Sequence, residues 1–440
     1  MNTKTVGVVG GGLAGLSAAY RLLLDGDLDV NLFESRPTLG GRVQSRPVRG
    51  RMIDFGGFLI YPWYEETHRL LSDIGLADAL EKTPLNDIYY FLAADSAGST
   101  EGKIPFPLAD GLNVWAKSLL KILPSSEIAR PDLGRFDGRT VSQYLRDTLN
   151  MPEHGGLFET YFDTVCQGYG YGPATKTKAA FMAPIVRQVM LHGDVRSTSY
   201  LPNGGKELVD RLEREIISLG GRIHRGTPVT GIDGRAVQTE RHAFAFDAIV
   251  FAQPADDALY RSMFPETKAA GCWYTRFLTV AVELDGVPSV ADTNNWGAAF
   301  YAPDETMPSQ ALSAINLASL YGPELSGCVM LNVIIRDRPH NASLTDANFL
   351  SIARKEAARL FPGVPVRAIL SHVSWEKTMP VVQESFVRAV REQNGRDGYY
   401  FAGDFLGAPS IETAVATGAA AAAAILKQDG STVSPQRGDR

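Results

Sequence analysis

Cysteine is scarce in this chain of 440 residues: Cys166, Cys272 and Cys328 are odd in number, far apart and without a CxxC pair. That excludes a disulfide framework and argues against a zinc site. The seven histidines are scattered and show no HxxxH spacing, so no metal is expected. No GxSxG elbow marks a serine nucleophile. Basic runs are missing and the formal net charge is −6, so no nucleic-acid footprint is present. No apolar run reaches the roughly 20 residues that span a bilayer. The first residues show no cleavage-like site, which gives the expectation of a cytoplasmic, reducing location.

What the chain does have is glycine, and it has it at a telling place. The stretch VVGGGLAGLSAA, residues 8–19, sets Gly10, Gly12 and Gly15 between a strand-like run and a helix-like run. Glycine is a poor choice inside either element. In a GxGxxG turn the first glycine turns tightly, the second lets backbone approach a pyrophosphate, and the third lets the helix sit on the strand. Leu13 and Ala14 then fall in the first helical turn, whose N–H groups meet the anion. The confirming acidic residue is due about 20 positions on. Glu34 ends the run Asp29 to Phe33 and supplies it, with Ser35 and Arg36 beside it in the same expected site. A carboxylate there favours an unphosphorylated adenosine ribose, as in FAD or NAD, over NADP.

The residues after Glu34 discriminate between those two. Gly40-Gly41-Arg42 follows within a few positions, and Asp54-Phe55-Gly56-Gly57-Phe58 comes next. Near the other end, an apolar strand runs into Gly403-Asp404, then Ser410-Ile411-Glu412-Thr413 opens a helix of small residues. Together these segments resemble the FAD proteins of the amine oxidase, protoporphyrinogen oxidase and phytoene desaturase superfamily. The resemblance implies that Gly41 and Arg42 lie along the pyrophosphate and ribityl. It implies that Gly56, Gly57 and Phe58 come near the isoalloxazine and that Asp404 meets the ribityl or pyrophosphate. Ser410, Ile411 and Thr413 would belong to a helix N-terminus aimed at the flavin, a placement suited to negative charge on the reduced ring. The segment Gly221 to Thr230 resembles the strand on which a valine backbone, here Val229, pairs with adenine. NAD alone would leave Arg42 and the Gly403-Asp404 turn without a role.

The resemblance, in its ordered spacing, implies an α/β, Rossmann-like FAD-binding domain built from 1–75, 199–265 and 371–426. A substrate-binding domain of antiparallel sheet plus helices would be inserted as 76–198 and 266–370, leaving 427–440 as a polar tail. The first insertion reads as helical: Leu112 to Leu123, Val141 to Thr148, Gly156 to Val165 and Thr177 to Leu191. The second alternates as strands at Phe277 to Leu284, Asn295 to Tyr301, Ala311 to Leu317 and Cys328 to Ile335, with a helix at Leu350 to Leu360.

The cofactor carries the redox step in such proteins, and the chain orients the substrate. Amine oxidases of the superfamily usually hold a lysine near flavin N5. Thr279 stands at the matching position, and its strand contains no lysine. Trp375 fits a tryptophan slot facing the flavin, and Tyr171, in Tyr169-Gly170-Tyr171-Gly172, sits where the helical insertion should approach the substrate. These three are the catalytic candidates. No cysteine follows Cys328, so FAD is expected to be non-covalent. The resemblance implies hydride transfer from a mostly apolar small molecule to FAD, with oxygen or a quinone as acceptor. An amine or amino-acid oxidase, a double-bond isomerase and a non-catalytic flavin-binding module are the alternatives. The amphipathic segment 105–123 is a candidate for peripheral membrane contact.

Overall fold

The computed structural model describes residues 3–85, 87–91, 103–105, 127–149, 163, 166, 172–192, 197–255, 259–260, 271–290, 293–336 and 346–428. The chain opens with β1 (Lys4–Val9), α1 (Leu13–Asp25), β2 (Leu28–Phe33), the hairpin β3 (Ser45–Val48) and β4 (Arg51–Asp54), and α2 (Glu65–Asp73). Then come β5 (Glu81–Lys82), β6 (Ile88–Phe91), β7 (Lys103–Pro105), α3 (Val141–Leu149), α4 (Ala179–His192), β8 (Ser199–Tyr200) and α5 (Lys206–Ser218). The middle holds β9 (Arg222–His224), β10 (Val229–Asp233), β11 (Ala236–Thr239), β12 (Ala243–Ala245), β13 (Ala248–Phe251) and β14 (Cys272–Tyr274). After these run β15 (Phe277–Leu284), β16 (Ala298–Tyr301), β17 (Ser309–Asn316), α6 (Leu317–Tyr321), β18 (Cys328–Ile335) and α7 (Asp346–Leu360). The chain closes with β19 (Val366–Trp375), β20 (Pro380–Val382), α8 (Glu384–Gln393), β21 (Tyr399–Phe401) and α9 (Ile411–Gln428).

A parallel sheet in the order β21-β13-β1-β2-β9 gathers strands from the start, middle and end of the chain. β1 sits at its centre because Val6 and Val8 are shielded on one face and Val9 on the other. α1 and α9 pack against each other over this sheet. Their approach is close because Gly418 has no side chain: a Cβ there would lie 2.2 Å from the Ala14 carbonyl oxygen. Ser17 Oγ donates to the Val415 carbonyl at 2.9 Å, which fixes the pair. This explains the alanine-rich run of α9. The chain leaves β1 toward β2 on one side and meets β13 on the other, so the crevice at the strands' carboxyl ends is the expected ligand position.

The second large sheet has the order β19-β15-β18-β17-β16-β6-β7. Alternation along β15 sends Leu278, Val280 and Val282 toward α7, where Phe349, Ala353 and Ala357 cover them. Phe277 and Ala281 point the other way, into a cluster with Ile53, Phe55, Trp375 and the flanking Phe58. The sheet therefore turns one face to its own helix and the other to the segment after β4.

Three details differ from the sequence reading. β6 and β7, from the stretch read as helical, complete this sheet: β6 pairs with β16, and β7 pairs with β6. The boundary expected at 370/371 falls inside β19. The run 221–230 is two strands in two sheets, β9 beside β2 and β10 beside β11, because residues 225–228 turn between them. The expected helix at 112–123, that at 156–165 apart from residue 163, Tyr171, and the segment 105–123 beyond Pro105 lie outside the described residues. Among the described residues no helix is long and apolar enough to cross a membrane, and no cluster of metal-ligating side chains occurs.

Candidate functional site

The turn after β1 is shaped by contacts that only glycine permits. Gly10 has φ +111°, donates its N–H to the Phe33 carbonyl at 2.8 Å, and leaves no room for a side chain against Ala252. A Cβ at Gly15 would lie 1.9 Å from the Gly10 carbonyl oxygen, so α1 can approach the turn only because that atom is missing. Gly12 caps α1 without a side chain, and no acidic residue occupies its first turn. The N–H groups around Leu13 and Ala14 are thus left for an external anion.

Glu34, at the end of β2, is buried and already engaged. Its Oε2 accepts from the Gly11 N–H at 2.7 Å, and its Oε1 accepts from the Arg36 N–H at 2.9 Å. Ser35 Oγ donates to the same Oε1 at 3.2 Å. Ser35 and Arg36 therefore hold the carboxylate in place, and their own side chains are exposed. Thr227 N–H donates to the Glu34 carbonyl at 2.9 Å, which brings the turn before Val229 to the same spot. Val229 follows two residues after that bond.

A second glycine turn faces the first. Gly40 N–H donates to the Gly11 carbonyl at 2.8 Å, and a Cβ on Gly41 would lie 3.2 Å from Gly12 Cα. Arg42 then crosses the crevice. Its Nη1 and Nη2 donate to the two Asp404 oxygens at 2.7 and 2.6 Å, and Nη1 also donates to the Thr378 carbonyl at 2.7 Å. The guanidinium stands 5.7 Å from the centroid of the Tyr274 ring. Burial raises the Tyr274 phenol well above its ordinary pKa, so it stays neutral. Arg42 and Asp404, each assigned to the cofactor by resemblance, hold each other.

Gly56 and Gly57 run under the Arg42 backbone. A Cβ at Gly56 would lie 1.9 Å from the Arg42 carbonyl oxygen, and Gly57 N–H donates to that oxygen at 3.1 Å. Gly57 in turn abuts Ile411 at the start of α9. Ser410 Oγ accepts from the Thr413 N–H at 3.0 Å, which satisfies one of the helix's first donors. Glu412 turns away from this end: its carboxylate accepts from the N–H groups of Glu66 and Thr67, both at 2.9 Å, capping α2 instead. Burial raises the Glu412 pKa, and these bonds oppose the rise. Asp54, just before this segment, is pushed up to about 6 by burial, although Ser45, Gly205 and Tyr321 hydrogen-bond to it.

On the sheet face turned to Phe58, four neutral side chains form a line across four adjacent strands. Trp375 Nε1 donates to Thr279 Oγ1 at 3.2 Å, and Thr279 Oγ1 donates to Asn332 Oδ1 at 3.1 Å. Asn332 Nδ2 then donates to Ser313 Oγ at 3.0 Å. Two catalytic candidates, Trp375 and Thr279, are thereby directly bonded. Gly172, the neighbour of Tyr171, shares a small apolar crevice with Phe181, Met182, Val381 and Pro409, close before α9.

Sequence reasoning missed Tyr274, Asn332, Thr378 and Gln253. Thr378, whose carbonyl accepts from Arg42, and Gln253, whose backbone abuts Gly10, keep Oγ1 and both carboxamide atoms buried with no hydrogen-bond partner among the described residues. A glycine-lined cradle, an uncapped helix start and orphaned polar atoms together fit a dinucleotide.

The profile of the family described as flavin containing amine oxidoreductase matches residues 13–426. The chain belongs to that family. It is 28% identical over 220 residues to protoporphyrinogen oxidase 2, chloroplastic/mitochondrial, of Arabidopsis thaliana, covering 46% of this chain and 41% of that one. It is 29% identical over 262 residues to amine oxidase [flavin-containing] B of Cavia porcellus, covering 54% of this chain and 48% of that one. The chain thus spans under half the length of these two relatives. Its fold matches a fatty acid isomerase from P. acnes with a TM-score of 0.73 at 15% identity, over 97% of this chain and 98% of that one. The fold it shares with that structure is a Rossmann-like α/β region with a β-rich part inserted into it.

Proposed function

From that membership we propose that the protein oxidises a mostly apolar organic molecule by removing a hydride. FAD bound in the crevice supplies the hydride acceptor, and oxygen or a quinone takes the electrons onward. The observation that carries the reading is the line Trp375, Thr279, Asn332 and Ser313, in which every member is uncharged and bonded to the next. Its surroundings are Phe277, Leu312, Met330 and Ile334. Such a surface desolvates an apolar substrate at little cost and gives an ammonium no counter-charge. The residues' part is to orient the substrate and exclude water; none of the four offers an acid or base of useful pKa.

The same reading assigns the cofactor-facing roles. The Gly10–Gly15 turn and the Gly40–Gly41 turn enclose the pyrophosphate, Glu34 and Val229 take the adenosine, and the Arg42–Asp404 pair lies along the ribityl. Gly57 and the Ser410–Thr413 turn approach the ring. The division into an FAD-binding and a substrate-binding part is kept, with β6, β7 and β19 counted in the substrate sheet.

One observation favours an amine instead. Thr279 spends its hydroxyl hydrogen on Asn332, so toward a ligand it can only accept, and an amine N–H would satisfy it. An anaerobic visible spectrum separates the two readings. Titration with apolar porphyrinogen or polyene compounds should bleach the flavin bands, and titration with amines should not. Bleaching by amines alone would overturn the apolar reading.

A further inference from the structure

Gln253 lies two residues past β13, where the parallel sheet ends. The rungs Val9↔Phe251 and Phe251↔Phe401 flank it with the Gly10 turn on one side and the Gly403-Asp404 turn on the other. A Cβ on Gly10 would lie 2.8 Å from the Gln253 nitrogen, so its backbone abuts the phosphate turn itself. Two residues later, the Ala255 N–H donates to the Tyr274 hydroxyl at 3.0 Å, beside the Arg42–Asp404 pair. A dinucleotide that touches both the Gly12 turn and Asp404 must span the strand end that carries Gln253.

Both polar atoms of the Gln253 carboxamide are shut off from solvent and have no partner among the described residues. A carboxamide left this way destabilises the apoprotein, and an apolar side chain of similar size would not. A buried polar group without a protein partner calls for a water or ligand that meets it. Here the neighbours on both sides are the elements that line the cofactor crevice. We propose that Gln253 is a recognition residue for FAD. Its NH2 donates to the pyrophosphate, and its carbonyl accepts a hydroxyl of the adjoining ribityl. The pairing uses a phosphate, which only accepts, and a hydroxyl, which also donates, so one amide serves both. Neither the glycine turns nor Arg42 supplies a neutral group with both capacities.

The test is an FAD titration of the full-length apoprotein, followed by quenching of flavin fluorescence, together with the apoprotein melting temperature. Gln253→Leu should weaken FAD roughly tenfold, the size of one hydrogen bond to a charged group. Its apoprotein should melt at the wild-type temperature or above, because the orphaned amide is gone. Gln253→Glu should weaken FAD further, and added salt should narrow the difference between Glu and Leu variants, because the new charge faces the pyrophosphate. An FAD affinity of Gln253→Leu within twofold of wild type would overturn the proposal. So would a Gln253→Leu apoprotein that melts several degrees lower, since that is the mark of a structural role. Gln253→Met serves as the second apolar variant and should behave as Gln253→Leu does.

Discussion

Arg42 and Asp404 stand 362 positions apart in sequence and meet in a two-pronged ion pair, with nitrogen–oxygen distances of 2.7 and 2.6 Å. The pair closes the sheet's far end onto its glycine turns. Asp404 is buried and Arg42 is about 35% exposed on its side chain. The arginine keeps Nε–H and one Nη2 hydrogen uncommitted among the described residues, so it can serve Asp404 and a phosphate together.

Asp404→Ala therefore strikes twice. It removes the proposed cofactor contact and leaves a half-buried guanidinium without its counter-charge. We expect the purified variant to lose most of its flavin. We also expect its apoprotein to be about 2 kcal/mol less stable, below the cost of breaking a fully buried pair because Arg42 is partly solvated. Chemical denaturation and flavin content at matched concentrations check both. Wild-type flavin content in the variant would contradict the assembly of one FAD site from both chain ends.

Glu34→Ala tests the other end of the cofactor. The carboxylate holds the Gly11 and Arg36 N–H groups, so its loss frees the phosphate turn as well as the ribose acceptor. FAD affinity should fall at least tenfold. Glu34→Gln keeps one acceptor oxygen and sets an NH2 against one of the two N–H donors, so it should fall between wild type and alanine. Fluorescence titration of the three apoproteins gives the order. Equal affinities would remove Glu34 from the site.

Much of the candidate site's geometry was legible in sequence because its demands are on backbone. Gly10, Gly15 and Gly56 are required by atoms within 3 Å of any added Cβ, and no other residue type meets that demand. Glu34 was legible because its distance from the turn is set by one strand–helix–strand unit. Gln253 was not, because a glutamine after a buried strand looks the same whether it faces solvent or a ligand. The pairing of Arg42 with Asp404 was hidden because each residue had a separate reason to meet the cofactor. β6 joined the substrate sheet unseen, since its partner β16 lies some two hundred residues away and four residues carry little periodicity.

Asp54 predicts a pH dependence. Its folded-state pKa is pushed up to about 6 by burial, against an ordinary value of 3.8. The folded protein thus binds this proton more tightly than the unfolded chain. The resulting stability is fully present below about pH 4 and is lost as pH rises through about 6. The loss amounts to about 3 kcal/mol at most. Asp54→Asn keeps an oxygen for Ser45 and the Gly205 N–H but cannot ionise. The difference in unfolding free energy between wild type and Asp54→Asn, both saturated with FAD, should shift in favour of the variant between pH 4 and 6.5 and then level off. A flat difference would mean that Asp54 titrates near its ordinary value.

Thr279 is where cofactor and substrate readings separate. Its hydroxyl accepts from Trp375 and donates to Asn332, so Thr279→Val orphans a buried indole N–H and a partly buried amide oxygen at once. The cost to stability should be about 1–3 kcal/mol. Thr279 lies within β15, and its side-chain bonds run to Trp375 and Asn332, so FAD affinity should stay within twofold of wild type. The rate of anaerobic flavin reduction by a productive substrate should fall tenfold or more, because Trp375 loses the bond that fixes its ring against the substrate. Thr279→Ser restores the hydroxyl and should recover both stability and rate. If Thr279→Val lost FAD in proportion to its rate, the line of neutral side chains would be a brace for the cofactor, and the apolar substrate reading would lose its main support.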